Sequence, residues 1–181
     1  MNIRNSTEAD LPGIRRLHET AFGPEAGSSV ADLTIELLHD ATAQPLLSLV
    51  ACDSRALIGH VLFTRVRISG SRKPACAHIL APLAVMPERQ RQDVGTQLVK
   101  RGLALLEESG CELVFVLGHP EYYPRFGFQP AGRVGFSAPY PIPEENSEAW
   151  MVLGLAKGGM ANVHGKVQCA AALNKPEHWH E

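Results

Sequence analysis

The sequence predicts an α/β fold, and three observations indicate this class. Strand-like and helix-like hydrophobic patterns alternate along the 181 residues. Apolar runs joined by short polar turns, between Leu46 and Val85, are typical of an antiparallel meander. The unbroken apolar run Cys111–Gly118 is typical of a central strand covered on both faces. A chain of this length can bury a full core, so we expect a single domain spanning residues 1–181.

The first part of the chain predicts one strand and two helices. Met1–Arg4 is a short strand candidate. Thr7 and Asp10 then resemble a capping box, followed by apolar residues at helical spacing. Gly23-Pro24 is expected to end this helix. Ser29 is the expected cap of a second helix.

The meander contributes three strands, over residues 46–53, 56–68 and 75–85. Pro82 lies inside the third apolar run. Proline lacks a backbone N–H and is tolerated in sheets at edges or bulges. We therefore expect either an edge strand or a bulge at this position.

The second half of the chain continues the alternation. Val94–Ser109 has the apolar spacing of an amphipathic helix. Glu121–Phe126 is expected to form a short helix, and Ala149–Ala156 a final strand. Residues 157–181 show no strong period, so the packing of this tail is not predicted.

The segment Leu83–Gly95 joins the end of a strand to a polar loop and the start of a helix. Free N–H groups in the first turn of a helix, together with its dipole, suit phosphate oxygens. Neither a P-loop nor a GxGxxG loop occurs. The pattern present is V-x-P-x-x-Q-x-x-D-x-G, from Val85 to Gly95. It predicts a site for a phosphate-bearing cofactor.

This pattern resembles the acetyl-coenzyme A loop of the GNAT N-acetyltransferase superfamily, whose core is Gln/Arg-x-x-Gly-x-Gly/Ala. Gln90 and Gly95 match that core, whereas Asp93 stands where the first glycine belongs. The stretch GHPEYYPRFGF also resembles the family, because Tyr123 precedes Phe128 of a Gly-Phe pair by five residues. Two motifs in the family's order are much more specific than either alone.

The resemblance implies a fold and a cofactor. The fold would be a mixed, twisted central sheet flanked by helices, with a bulged central strand that splays from its neighbour. The pantetheine arm of acetyl-coenzyme A would lie in the opened gap. Pro82 is close to the place where such a bulge is expected.

The resemblance also implies roles for individual residues. The Val85 N–H would stabilise the oxyanion, and Tyr123 would be the general acid, since a phenol of pKa about 10 is protonated at neutral pH. The alternative is that Tyr122 and Tyr123 are aromatic packing. The expected cofactor-binding residues are Leu83, Ala84, Val85, Gln90, Arg91, Gln92, Asp93, Val94, Gly95, Thr96, Tyr123 and Phe126.

Two arginines flank the loop, and one acidic residue opposes them. Arg89 and Arg91 could pair with phosphate oxygens. The carboxylate of Asp93 would lie near another anion and lower the affinity. Asp tolerates a positive φ better than most residues, and its side chain could point to solvent or cap the helix.

The general base cannot be read from the sequence. His78, His119 and Glu121 lie near the two motifs. A water chain, or an amine that arrives neutral, would serve equally. The end of the chain, His178-x-His180-Glu181, contains metal ligands, but a flexible tail is the favoured interpretation. The four cysteines are scattered without metal spacing, so we expect no metal.

The sequence therefore predicts an N-acetyltransferase in which an acceptor amine attacks acetyl-coenzyme A directly. Two alternatives stay open: a transferase that uses a longer acyl-coenzyme A, and a non-catalytic acetyl-coenzyme A-binding sensor or assembly domain. The acceptor is a small-molecule amine or the amine of a peptide or protein. The sequence leaves a homodimer open.

Composition argues against nucleic acid and membranes as partners. The formal charge is −2, with 17 Lys+Arg against 19 Asp+Glu, so we expect no nucleic-acid partner. No apolar run has the length of a membrane span, and the N-terminus is not a signal peptide. We therefore expect no membrane partner and a cytoplasmic location.

Overall fold

The computed structural model describes residues 1–156 and 159–180. The helices are α1 (Leu11–His39) and α2 (Val94–Glu108). The strands are β1 (Asn2–Asn5), β2 (Leu47–Asp53), β3 (Ala56–Ser69), β4 (Ala77–Val85), β5 (Leu113–Leu117), β6 (Gln129–Pro130), β7 (Phe136–Ser137), β8 (Trp150–Gly154) and β9 (Gly165–Gln168). Within these residues, no helix is both long and apolar enough to cross a bilayer.

The strands form one mixed sheet in the order β1-β2-β3-β4-β5-β8-β6. On this path β4 and β5 are parallel, and the other neighbours are antiparallel. The strand β9 pairs with the end of β3 and with β7. The predicted α/β fold with a mixed sheet flanked by helices is confirmed.

The alternation of side chains along β3 divides the core into two layers. Leu62 and Val66 pack on the face that Leu37 of α1 covers. Val61 and Phe63 point to the other face, with Leu98 of α2. Successive residues of a strand point to opposite faces, so one strand supplies both layers.

The helix α1 is interrupted where the sequence predicts a break. Gly23 has φ 76° and ψ −175°, outside the helical region. Helical structure resumes at once, because Pro24 is compatible with the first turn of a helix. The prediction of Ser29 as a cap is therefore wrong, since Ser29 lies inside the second segment.

The C-terminal residues 159–180 pack on the sheet, so the interpretation of a flexible tail is wrong for residues 178–180. Val167 of β9 pairs with Ile68 of β3, and β8 is not the final strand. Trp179 is 1% exposed, and its indole N–H donates to the Leu173 carbonyl at 3.0 Å. The tail thus completes the core layer beneath α1.

Candidate active site

A gap opens between β4 and β5 at one end of their parallel pair. Their pairing runs from Ala77↔Leu113 to Leu80↔Val116. Beyond it, β5 stays with β8 through the pair Leu117↔Trp150. Within the described chain, residues 81–85 of β4 have no strand on this side.

A bulge in β4 accompanies the gap. Val61 of β3 pairs with Leu83 but Phe63 pairs with Leu80. Ala81 and Pro82 therefore face a single residue of β3, which is the pattern of a β-bulge. The sequence predicts either an edge strand or a bulge at Pro82, and the bulge is confirmed.

The ladder between β3 and β4 determines which backbone groups face the gap. The Met86 N–H donates to the Ile58 carbonyl at 2.9 Å, so this residue points to β3. Alternate residues of an antiparallel strand point to opposite sides. The N–H and C=O groups of Leu83 and Val85 therefore face the gap. The backbone of Ala84 is turned to β3, away from its expected contact with pantetheine.

The start of α2 lies beside this gap. Its first intrahelical bond runs from the Gln97 N–H to the Asp93 carbonyl at 3.0 Å. The preceding N–H groups, of Val94, Gly95 and Thr96, have no partner within the described residues. Three unused donors at the positive end of a helix dipole form a site for an anion.

Gly95 is the point at which the helix, the strand and a tyrosine converge. A Cβ at this position would lie 3.1 Å from the Tyr122 hydroxyl and 3.5 Å from Cγ2 of Val85. Any larger side chain would therefore crowd the entrance between α2 and β4.

Two glutamines hold the loop itself together. The Gln90 side-chain amide donates to the Val85 carbonyl at 3.2 Å, and that of Gln92 donates to the Glu88 carbonyl at 2.9 Å. The first bond occupies the one Val85 acceptor that faces the gap. The Val85 N–H remains available as the expected oxyanion donor.

The charged residues of the loop differ in the ion pairs and hydrogen bonds that they form. Arg89 forms an ion pair with Asp53 of β2, which takes it away from its expected role. Arg91 is exposed, has φ 61°, and has no ion pair within the described residues. Asp93 has φ 67° and ψ 6°, and its carboxylate makes no capping bond to the helix. Among the described residues, its carboxylate accepts one hydrogen bond, from the Gln97 side-chain amide at 3.4 Å.

Tyr123 begins a short helix, Tyr123–Phe126, that follows β5. The structure starts this helix two residues later than the sequence predicts. The ring lies against Gly118, where a Cβ would come within 2.4 Å of it, and edge-on to Phe128 at 5.7 Å. Burial raises the pKa of Tyr123 well above its ordinary value, so the phenol is protonated at neutral pH.

Tyr122 is a site residue that the sequence treated only as packing. Its hydroxyl lies at the start of α2, next to Gly95. The Arg125 guanidinium lies 4.4 Å from the centre of its ring, and the Arg125 Nε donates to the Tyr122 carbonyl at 2.9 Å. The spacing to Phe128 singles out Tyr123 in the sequence, but no local pattern places the Tyr122 hydroxyl beside Gly95.

The comparisons with known proteins agree with this geometry. Residues 2–131 match the family model described as an acetyltransferase (GNAT) domain, which is more than half of the chain. The chain belongs to the GNAT family. The resemblance predicted from its two motifs is confirmed, and it is an N-acetyltransferase family member.

Relatives with this GNAT fold cover nearly the whole chain. The uncharacterized N-acetyltransferase YjhQ of Escherichia coli (strain K12) is 46% identical over 164 residues, which is 90% of this chain and 88% of YjhQ. The crystal structure of YhbS from Escherichia coli, in complex with CoA, has a TM-score of 0.86 at 32% identity and covers 97% and 92% of the two chains. A GNAT acetyltransferase from Brucella melitensis, in complex with acetyl-CoA, has a TM-score of 0.74 at 28% identity, covering 95% and 97%.

The structure separates the three candidates for the base of this GNAT protein. The prediction of His78 as a general base is wrong. His78 pairs with Val114 at the end of β4 that lies away from the gap, and its Nε2 donates to the Pro45 carbonyl at 2.8 Å. His119 and Glu121 are exposed in the turn that follows β5, next to the tyrosines. The assignment of His119 or Glu121 as the general base stays a prediction.

A buried polar chain that joins α1, β3 and β2 was not identified from the sequence. His18 Nε2 lies 2.8 Å from His60 Nδ1, and His60 Nε2 lies 2.9 Å from the Ser48 hydroxyl. Burial lowers the pKa of His18 to about 4 and that of His60 well below its ordinary value. Both rings are therefore neutral at physiological pH. His60 pairs with Ala84, but at 0% exposure it cannot touch an acceptor.

Proposed function

We propose that this GNAT protein transfers an acetyl group from acetyl-coenzyme A to an amine by direct attack on the thioester. The observation that carries this proposal is the adjacency of two features. The gap beside Leu83–Val85 suits a pantetheine arm, and the unpaired N–H groups of α2 beside it suit a pyrophosphate. Relatives of known structure bind CoA or acetyl-CoA, which supports the same cofactor here.

The pyrophosphate would bind to the N–H groups of Val94, Gly95 and Thr96. Each favourable charge contact at a helix end contributes about 0.3–1 kcal/mol, so several must act together. Arg91 is free to add a charged contact on the exposed side. Asp93 opposes binding, because its carboxylate adds negative charge at the start of α2 and makes no capping bond to the helix.

The adenosine end of the cofactor would have a groove available. A cavity of about 410 Å³ lies between α2 and the helix Tyr123–Phe126. Phe126 contributes apolar surface to it, Lys100 and Arg125 contribute positive charge, and Glu107 contributes one negative charge. A phosphorylated ribose suits this combination.

The chemistry follows from the groups that face the gap. The acceptor nitrogen attacks the thioester carbon, and the Val85 N–H donates to the oxyanion that forms. Collapse of this intermediate breaks the carbon–sulfur bond and releases the coenzyme A thiolate. The Tyr123 hydroxyl donates its proton to that sulfur. The proton of the attacking amine leaves to His119, Glu121 or water.

A thiol-release screen tests this function. The protein is incubated with acetyl-coenzyme A and a panel of small-molecule amines and peptides, and free thiol and acetylated amine are both measured. We expect thiol release that depends on one class of amine, with matching acetylation of that amine. If acetyl-coenzyme A binds but no amine is acetylated, the protein is a sensor and the proposal is wrong. Faster turnover with longer acyl-coenzyme A donors would show that the protein transfers a longer acyl group instead of acetyl.

A further inference from the structure

A cluster of sulfur and imidazole donors lies at the end of β4 and β5 opposite the gap. Cys76 immediately precedes β4, His78 is the second residue of β4, and Cys111 lies two residues before β5. One ligand atom from each of these side chains lies within 4.8 Å of the other two. The parallel pair Ala77↔Leu113 brings the three residues together. We call this group the Cys76–His78–Cys111 cluster.

The histidine of the cluster is oriented as metal ligands are. A carbonyl oxygen can only accept, so the 2.8 Å contact with Pro45 makes Nε2 of His78 the donor. Nδ1 then carries the lone pair, and it lies 3.4 Å from Sγ of Cys111. A second ring nitrogen bonded to a backbone carbonyl is the usual support of a metal-binding histidine.

The two cysteines differ in exposure, and both the buried and the exposed position suit a metal ligand. Cys111 is 2% exposed, whereas Cys76 is exposed and provides a route of entry. Tetrahedral zinc with Zn–S of about 2.3 Å and Zn–N of about 2.0–2.1 Å separates its ligands by roughly 3.5–3.8 Å. The distance between Cys111 and His78 is already close to such an edge. Rotation of the exposed Cys76 side chain would close the triangle.

We propose that Cys76 Sγ, His78 Nδ1 and Cys111 Sγ bind a Zn²⁺ ion, with the fourth position open to solvent. Two thiols and an imidazole are ligands that zinc prefers. Binding forms three bonds to the ion and releases the two thiol protons to solvent.

The position of the ion separates it from the acetyl-transfer site. His78 is seven residues from Val85 along β4, a distance of roughly 23 Å at about 3.3 Å per residue. The ion would therefore hold together the closed end of the β4–β5 pair and would not touch the thioester. This revises the sequence expectation of no metal. The Cys-x-His pair and the third ligand are 33 residues apart, and only the parallel register joins them.

A zinc titration of the full chain tests the site. The reduced, chelator-treated protein is titrated with Zn²⁺ in competition with a chromophoric chelator. We expect one zinc per chain. Loss of a direct ligand in Cys76→Ser should weaken binding by more than the roughly 10–100-fold that loss of an outer-shell partner costs. Cys52→Ser is the matched control, because Cys52 lies on β2 outside the cluster, and it should bind as the wild type does.

Three results would overturn the proposal. They are no zinc binding by the reduced protein, equal affinity in Cys76→Ser and wild type, or a Cys76–Cys111 disulfide in place of the bound ion. Because Cys76 is exposed, its variant should melt as the metal-free wild type does. The thiolate absorption of bound Co²⁺ should be weaker in this variant, because Cys111 alone supplies a thiolate. Gly95→Glu should keep zinc, so failure here and failure of the acetyl-transfer proposal are distinguishable.

Discussion

Asp93 is the residue at which this chain departs from its family's loop. It adopts φ 67°, a left-handed conformation in which glycine carries no steric penalty. Its exposed carboxylate lies beside the three N–H groups proposed to bind pyrophosphate. Both the backbone and the charge therefore argue that glycine would serve this position better.

We expect Asp93→Gly to bind coenzyme A more tightly, by about two- to fivefold, the range of a single helix-end charge contact. The gain should shrink with added salt, because the site is exposed. Isothermal titration at two salt concentrations measures this. Asp93→Asn keeps tolerance of the backbone conformation and removes the charge, so it should reproduce most of the gain. A loss of affinity in both variants would mean that Asp93 has a positive role.

The adjacent tyrosines allow a paired test of the chemistry. Tyr123→Phe removes only a hydroxyl from a buried ring, and kcat should fall by about 10²–10⁴ if that hydroxyl protonates the thiolate. Tyr122→Phe removes the hydroxyl next to Gly95 and should affect cofactor affinity more than kcat. Steady-state rates and dissociation constants of both variants separate the roles. An unchanged kcat in Tyr123→Phe would remove it from the mechanism.

At the scale of elements, α2 is fixed to the sheet by close contact at Gly102. A Cβ at Gly102 would lie 2.3 Å from the ring of Phe63, which is fully buried on β3. This contact holds the middle of α2 against β3. Helix propensity and packing therefore make opposite predictions for the same substitution.

Gly102→Ala should destabilise the protein. Propensity alone would stabilise it by about 1 kcal/mol, but overpacking of a buried ring costs about 1–3 kcal/mol and should dominate. Chemical denaturation measures the free energy of unfolding. Gly132→Ala is the control, because no atom lies within 4 Å of its added Cβ, and it should be close to neutral. A stabilised Gly102→Ala would show that packing at this contact is loose.

The elements also show what local sequence can predict. The strands β2 to β5 and the helix α2 follow from periodicity, since this signal acts within a few residues. Pro82 by itself predicts an edge strand or a bulge, and the family resemblance favours the bulge. The rest depends on distant contacts. Ser29 is a good cap by type, but Pro24 starts the helical segment first. The direction of the Ala84 backbone depends on its register with His60, and β9 on its pairing with Ile68. These pairings join residues far apart in the chain, so no local sequence pattern predicts them.

Over the whole molecule, the β4–β5 pair has one open end and one closed end. The open end is the proposed cofactor site, and the closed end carries the Cys76–His78–Cys111 cluster. The C-terminal residues cover the sheet on the α1 side, where Trp179 packs edge-on to Trp150 at 5.6 Å. The tail is thus part of the core rather than an addition to it.

Trp179→Ala should therefore cost about 3–5 kcal/mol of stability, the range for removing a large aromatic side chain from a core. The loss should appear as a lower midpoint in chemical denaturation. His180→Ala changes the exposed neighbour and should stay within about 0.5 kcal/mol of wild type. Equal stabilities of the two variants would show that the tail does not support the fold in solution.

Binding of acetyl-coenzyme A at the start of α2 is the central claim, and one calorimetric experiment tests it most directly. The wild type, Gly95→Glu and Gly132→Glu are each titrated with acetyl-coenzyme A. Glu at position 95 adds bulk and negative charge where the pyrophosphate would lie, whereas the same change at exposed Gly132 adds them on the loop after β6. We predict that Gly95→Glu abolishes binding and that Gly132→Glu binds as the wild type does. Equal affinities in all three proteins would contradict the account.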